Sequence, residues 1–530
     1  MNHTNCSTMV LTFRRLTHSL FVASLVVVLF GSCTEDFEEI NIDQTKLATL
    51  GENELPFLFS KAQSASSYAF WRYQVAQNLF PDLYVQYYAT TATYFPSDRN
   101  VIRMDWLQWH WRPIYTEAVP QLRSIMEATA EDSPEYALAS VTWVYTFHRL
   151  TDYYGPVPYF QAGEPLRSVP YDPQEEIYDD FFKRLDAAAD VLQNSTSATP
   201  FGSFDLIYGG DVEKWIKFTN SLRLRLALRI SGVDPERARI EAEAALAGGI
   251  LESTDDDAYM FKTSAGDDVN GLSGISVWNE FRMSAAMESV LKGYDDPRIG
   301  IYYQPATDNG EYEGLRNGLS PAQLGDAANL PNANSNVGTR WVVGGGSAWT
   351  REGETPQNIL HAAEAWFNRA EGALNGWNMG GSAEELYNSG IEASMRQWGI
   401  TDEAAISAYQ SSDDTPVAPM DFLNSPPMSD TPIKFADDEA MQRRQIATQK
   451  WLALFPDGME AWADQRRSNL PDLYPVVNSE NSALPDGGRP LRIPFLDYEK
   501  NTNTEAVNEA VKLLDGPDAV TTPLWWDVNN

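Results

Sequence analysis

Apolar side chains recur along most of this chain at the spacing of a helix with one buried face. Ile177, Phe181, Leu185, Ala188 and Leu192 fall three or four positions apart, which lines them along one stripe of a 3.6-residue helix. Asp172-Pro173-Gln174-Glu175 precedes them, with a cap, an early proline and acids in the first turn. Trp215, Phe218, Leu222, Leu226 and Ile230 mark a second stripe over 211–231. Arg223, Arg225 and Arg229 gather in its last turns, where the helix dipole favours cations. A helix over 235–247 completes a pair with it. The same pattern predicts one or two helices over 54–88. It predicts an antiparallel pair over 113–128 and 134–154, the second opened by Asp132-Ser133-Pro134. Further helices are expected over 356–375, 382–399, 402–410, 437–455 and 458–467.

The middle of the chain breaks this pattern. Gly, Asn, Asp and Pro interrupt 251–351, where one helix is expected over 280–292, and the tail from Ser468 is rich in Pro and Asn. No β-rich domain is visible. Helix pairs joined by short turns predict an all-α fold built as an α–α repeat scaffold, with a loop-rich irregular face. The stretch 364–395 comes nearest to a tetratricopeptide unit, with small Ala370 and Ala373 in one helix and Gly390 and Ala393 in the other. The strict period of roughly 34 residues is absent, so the repeats are degenerate.

The N-terminus carries a different signal. Arg14 and Arg15 precede a run from Leu20 to Phe30 that is apolar apart from Ser24. That length suits a signal-peptide core and falls short of the roughly 20 residues of a membrane span. The run ends Leu29-Phe30-Gly31-Ser32-Cys33, with small residues just before a cysteine, the pattern of a lipobox. Residues 1–32 are therefore expected to be removed and Cys33 to be lipidated; a plain secretory signal is the alternative. Cys6 lies in the removed part, so the mature chain, 33–530, is expected to be one domain whose sole cysteine is acylated, without disulfides.

A hydrophobic content of 43% and a charged content of 21% describe an ordinary chain with ample core. The formal charge of −35 sets it against nucleic acid and anionic membrane surfaces, whose phosphates it repels. Catalytic and metal signatures are missing: there is no Gly-x-Ser-x-Gly elbow, Walker loop or His-Glu-x-x-His. With 74 acids in the chain, carboxylate pairs occur at every spacing, so no glycosidase dyad can be picked out. His361 and Glu364 sit three apart, as in many structural hydrogen bonds, and Asp267-Asp268-Val269-Asn270-Gly271 lacks the alternating ligands of a calcium loop. No cofactor or metal is expected.

Several stretches, in a fixed order, carry a resemblance. They include Cys33-Thr34-Glu35-Asp36-Phe37-Glu38-Glu39, His148-Arg149-Leu150-Thr151-Asp152-Tyr153-Tyr154-Gly155-Pro156-Val157-Pro158-Tyr159 and Trp366-Phe367-Asn368-Arg369-Ala370-Glu371. Glu460-Ala461-Trp462-Ala463-Asp464-Gln465-Arg466-Arg467 and Arg489-Pro490-Leu491-Arg492-Ile493-Pro494 close the set. From its acidic tether onward the chain resembles the SusD/RagB-type outer-membrane lipoproteins, in the SusD-like branch. The resemblance implies degenerate tetratricopeptide-like helix pairs, a lipid anchor in the outer membrane with the body facing the exterior, and a SusC-like TonB-dependent transporter as partner. It implies an oligosaccharide as ligand, with peptides for some relatives. The motifs themselves read as structure: Arg149 and Asp152 are spaced to pair, and Glu460, Asp464, Arg466 and Arg467 form a mixed-charge network.

Sugar rings present apolar faces that stack on flat aromatics, so aromatics in loops are the candidates for contact. Tyr94 and Phe95 lie beside Pro96 in a polar stretch, with Asp98 nearby. Trp106, Trp109 and Trp111 follow and read as core beneath the next helix pair. Trp278 and Asn279 form a second cluster, and Trp341 and Trp349 flank a triple glycine in a third. Asp98, Asn279 and Arg316 would supply hydrogen bonds at the rim. These loops would converge on one face, with 251–351 as the main binding region; the alternative is a satellite core. A non-enzymic binding protein is expected. A surface glycoside hydrolase and a scaffold with no small ligand are the rival classes.

Overall fold

Helices of eight residues or more, numbered in chain order, carry the architecture. They are α1 (Leu55–Ala65), α2 (Met104–Pro113), α3 (Val119–Ala128), α4 (Pro134–Tyr154), α5 (Gln174–Gln193), α6 (Val212–Arg229) and α7 (Pro235–Ala247). Then come α8 (Ala285–Gly293), α9 (Ala362–Leu374), α10 (Ala383–Gln397), α11 (Glu403–Gln410), α12 (Glu439–Leu454), α13 (Gly458–Ser468) and α14 (Thr504–Val511). The computed structural model describes residues 51, 53–343, 351–485 and 487–529. The signal stretch, Cys33 and its acidic tether, and Trp349 with the triple glycine, lie outside the described residues.

The expected pairs form: α3 packs on α4, α6 on α7, and α9 on α10, while α5 adds to them by packing on α4 and α6, and α6 also meets α9. Capping explains where they begin. Ser133 accepts from the Tyr136 amide, Asp211 from Lys214, Asp234 from Arg237, and Ser382 with Glu385 closes a capping box. Close approach explains α9 against α10. A Cβ on Gly390 would stand 2.7 Å from the Phe367 ring, so only glycine lets that ring lie flat on the backbone.

Two predicted helices are drawn differently. The stretch 54–88 holds α1 and then short helical turns, broken where Tyr68 and Phe70 adopt positive φ. Instead of a helix from residue 280, Phe281–Met283 is strand β3 and α8 starts only after the Ser284 cap. Strand β3 pairs antiparallel with β1 (Tyr88–Thr90), in the register Tyr88↔Met283, Ala89↔Arg282, Thr90↔Phe281. A second two-stranded ladder joins β2 (Ala258–Met260) to β4 (Gln357–Leu360). Trp106, Trp109 and Trp111 also lie inside helix α2, which runs through a π-helical stretch, Ile114–Ala118, into α3.

A buried ionic network ties the ends of the scaffold together. Arg225 grips Glu364 with two bonds of 2.7 and 2.6 Å. Arg229 donates to Asp152 at 2.6 Å and to Glu460. Tyr178 and the Trp526 indole complete Asp152 at 2.7 and 2.8 Å. Arg467 clasps Glu371, and Lys450 meets Asp464 at 2.7 Å. The expected Arg149–Asp152 pair does not form: Asp152 belongs to Arg229, and Arg149 faces Asp457 at 3.5 Å. Burial raises the cost of ionising these acids, yet Arg229 and Arg225 win at Glu460 and hold its carboxyl below the usual range.

Candidate functional site

The β1–β3 ladder brings two of the three aromatic loops side by side. Past the last paired residues, the Thr91 amide donates to the Glu280 carbonyl at 3.0 Å, and the Thr91 hydroxyl to the Asn279 carbonyl at 2.6 Å. The loop that leaves β1 is thereby zipped to the loop that enters β3, although 188 positions separate Thr91 from Asn279.

Tyr94 and Trp278 stand out of this junction, 65% and 39% exposed. Each is held from behind. The Trp278 ring meets Phe70 edge-on at 6.0 Å, and Tyr94 meets Phe95 at 4.7 Å. The Tyr94 hydroxyl donates to one oxygen of Glu280, and Gln74 donates to the other at 2.6 Å. That bond to Glu280 pushes the Tyr94 phenol up to about 12. Asn279 is exposed and left-handed, with φ of 58°, a conformation asparagine tolerates better than most residues. Its side-chain oxygen accepts from Arg282 at 2.7 Å, which leaves its amide NH₂ group without a protein partner among the described residues.

The other expected contacts are placed elsewhere. Phe95 is only 8% exposed and lies between Tyr94 and Trp106, backing the exposed ring rather than offering a face of its own. Asp98 is buried, accepting from the Thr90 amide at 3.2 Å and from Asn317 at 2.7 Å. Burial pushes its carboxyl up to about 6. It staples the Tyr94 loop to Asn317. Arg316 is buried too, spent on Ser425 and the Pro475 carbonyl and stacked 4.4 Å over Tyr474. Trp341 is 1% exposed, packed against Trp398 and Phe455 with centroids 5.8 Å away in each case. It is core, because its indole fills the space beside the end of α12. The Trp341 loop therefore adds no described exposed ring to the junction.

Sequence reasoning missed Glu280, Gln74 and Phe70. Glu280 sat in the same stretch as Trp278, so its selection needed only the recognition that a carboxylate flanked by loop aromatics is unpaired locally. Phe70 and Gln74 gave no signal, because they fell within an apolar run that reads as continuous helix.

The arrangement offers two stacking surfaces, one fixed carboxylate between them, and amide groups around it. Among the described residues no three His, Cys, Asp or Glu side chains converge as a metal would need.

A family model described as "SusD-like: Susd and RagB outer membrane lipoprotein" matches residues 38–527. Solved structures match over nearly their full length. A chitin-binding SusD homologue from Flavobacterium johnsoniae is 33% identical, with 90% of this chain and 99% of that one covered and a TM-score of 0.82. A SusD homologue from Bacteroides vulgatus is 32% identical over 90% and 98% of the two chains, with a TM-score of 0.80. A SusD-like protein from Bacteroides thetaiotaomicron is 30% identical over 90% and 99%, with a TM-score of 0.79. A comparison with curated proteins found no match.

Proposed function

This chain belongs to the SusD-like family of outer-membrane lipoproteins, and from that premise we propose that it binds oligosaccharides at the Tyr94–Trp278 junction and does not cleave them. The observation that carries this is the pair of exposed rings held beside Glu280 and Asn279 by the β1–β3 ladder. Pyranose faces stack on such rings, and the carboxylate and amide read the hydroxyls. The chitin-binding relatives, at 33% and 29% identity, make chito-oligosaccharides the first ligands to test. Bound oligomers pass to a SusC-type TonB-dependent transporter. A hydrolase would need two carboxyl groups facing the substrate about 5–9.5 Å apart; both oxygens of Glu280 are taken up by Tyr94 and Gln74, and Asp98 in the same loop is buried and engaged by Thr90 and Asn317.

A titration screen of chito-oligosaccharides, other glycans and peptides, with product analysis, tests this reading. Trp278→Ala and Tyr94→Ala should each weaken the best glycan about five-fold, an effect of about 1 kcal/mol for one stacking ring. The melting temperature should barely move. Glycan affinity that survives both substitutions, binding of peptides alone, or product release that tracks the purified protein would each defeat the proposal.

We further propose that the protein is anchored through a lipid on Cys33 and faces the exterior. Cys33→Ala should abolish metabolic lipid labelling and shift the protein from the outer-membrane fraction to the soluble one. Full membrane retention in that variant would contradict the anchor.

A further inference from the structure

A second cavity, apart from the Tyr94–Trp278 junction, lies where the C-terminal part of α2 faces the helical turn Asp497–Thr502. Its volume is about 360 Å³, within the roughly 300–1,000 Å³ of small-molecule sites. Trp111, Tyr115 and the 47%-exposed Tyr498 supply aromatic surface, and Glu499 sits among the lining residues. Arg112 and Arg167 complete it.

These two arginines set the cavity apart. Among the arginines whose side chains are described, these are the two exposed ones, and neither has a carboxylate partner; most of the others are paired. In a chain of formal charge −35, two unpaired cations beside one cavity are an exception that needs a reason. Arg112 is also fixed in place. Its guanidinium lies 5.4 Å from the Trp109 ring and 5.8 Å from the Tyr498 ring, with only a 3.4 Å bond to Gln108 besides. A stacked guanidinium keeps its in-plane donors available for an oxyanion.

The acid in the lining does not cancel them. Glu499 is 9% exposed and accepts from Tyr171 at 3.0 Å and Asn503 at 3.4 Å. Burial holds its carboxyl above the usual range, and Tyr171 and Asn503 both donate to the same one of its oxygens. The aromatic surface and the paired cations then ask for different parts of one ligand: a flat apolar face and an anionic substituent.

We propose that this cavity binds an acidic sugar residue, a pyranose ring bearing a carboxylate or a sulfate. The ring stacks on Tyr498 and the oxyanion is held between Arg112 and Arg167. The choice of a sugar rests on the glycan-binding reading above; the recognition of an anion rests on this cavity alone.

The full chain should be titrated with trigalacturonate, its fully methyl-esterified form, and a 6-sulfated N-acetylglucosamine disaccharide, with a neutral chito-oligosaccharide in parallel. At least one anionic probe should bind, and its affinity should fall as salt rises, while the ester binds far more weakly. Binding of the carboxylate probe identifies a uronate site; binding of the sulfated probe alone identifies a sulfated-sugar site. Arg167→Gln should weaken the anionic probe about ten-fold, the range expected for a hydrogen bond to a charged group, and Tyr498→Ala about five-fold, as for one stacking ring. Both positions are exposed, so the fold should tolerate the changes. Trp278→Ala should leave the anionic probe unaffected, and Arg167→Gln should leave the chito-oligosaccharide unaffected, so failure at one site is separable from failure at the other. The proposal is overturned if no anionic probe binds, if ester and acid bind equally, or if anion binding is lost with Trp278→Ala and kept with Arg167→Gln.

Discussion

Replacing Arg229 with methionine is expected to destabilise the protein by about 3–5 kcal/mol, the loss typical of breaking a buried ion pair from one side. Arg229 is 1% exposed and spans Asp152 on α4 and Glu460 on α13. Methionine fills similar volume but leaves both carboxylates buried without their main counter-charge. Tyr178 and Trp526 would still donate to Asp152, and Arg225 would still face Glu460 at 3.6 Å, so the chain need not unfold outright. Denaturant midpoints read the effect. Adding Asp152→Asn to Arg229→Met should recover part of the loss, because the second change removes one of the stranded charges. A loss below about 1 kcal/mol for the single substitution would mean that the network is solvated and does not lock the helices.

Trp341→Ala should cost a similar amount, about 3–5 kcal/mol, by opening a void in the core. Its indole is packed on Trp398 and Phe455 and has no exposed face. Glycan affinity, measured below the lowered melting temperature, should stay close to that of the parent. Trp278→Ala should show the opposite pattern, with weakened binding and unchanged stability. If Trp341→Ala instead weakened binding and left the midpoint in place, the Trp341 loop would have to open onto the ligand face.

That contrast shows which parts of this molecule are legible in one sequence. The stripe from Ile177 to Leu192 and the caps at Ser133, Asp211 and Ser382 act over a few residues, so their helices could be drawn from spacing alone. Tyr94 and Trp278 were legible for a similar reason: a ring with no helical face to bury it stands out locally. Burial by distant partners was not legible. Trp341 and Trp278 look alike in sequence, and the distant Trp398 and Phe455, the latter more than 100 positions away, decide that one of them is core. Asp98 reads as a rim acid until Asn317 and the Thr90 amide are found around it. The β1–β3 pairing, which builds the site, joins strands too short to print an alternating pattern, so neither announced itself as strand. Cation–π stacking of Arg112 on Tyr498 likewise links residues that no local rule connects.

The bond from Tyr94 to Glu280 has a thermodynamic reach beyond its place in the loop. A tyrosine exposed to 65% would ordinarily wander among rotamers, and an arriving ligand would have to halt that motion at about 0.5–1.5 kcal/mol per immobilised side chain. Here the hydroxyl is tied to a carboxylate that Gln74 also grips, so the ring has lost that freedom before anything binds. An exposed yet immobile ring lets a single stacking contact count at nearly full strength, and it should make association less entropically costly than the bare exposure of the site implies.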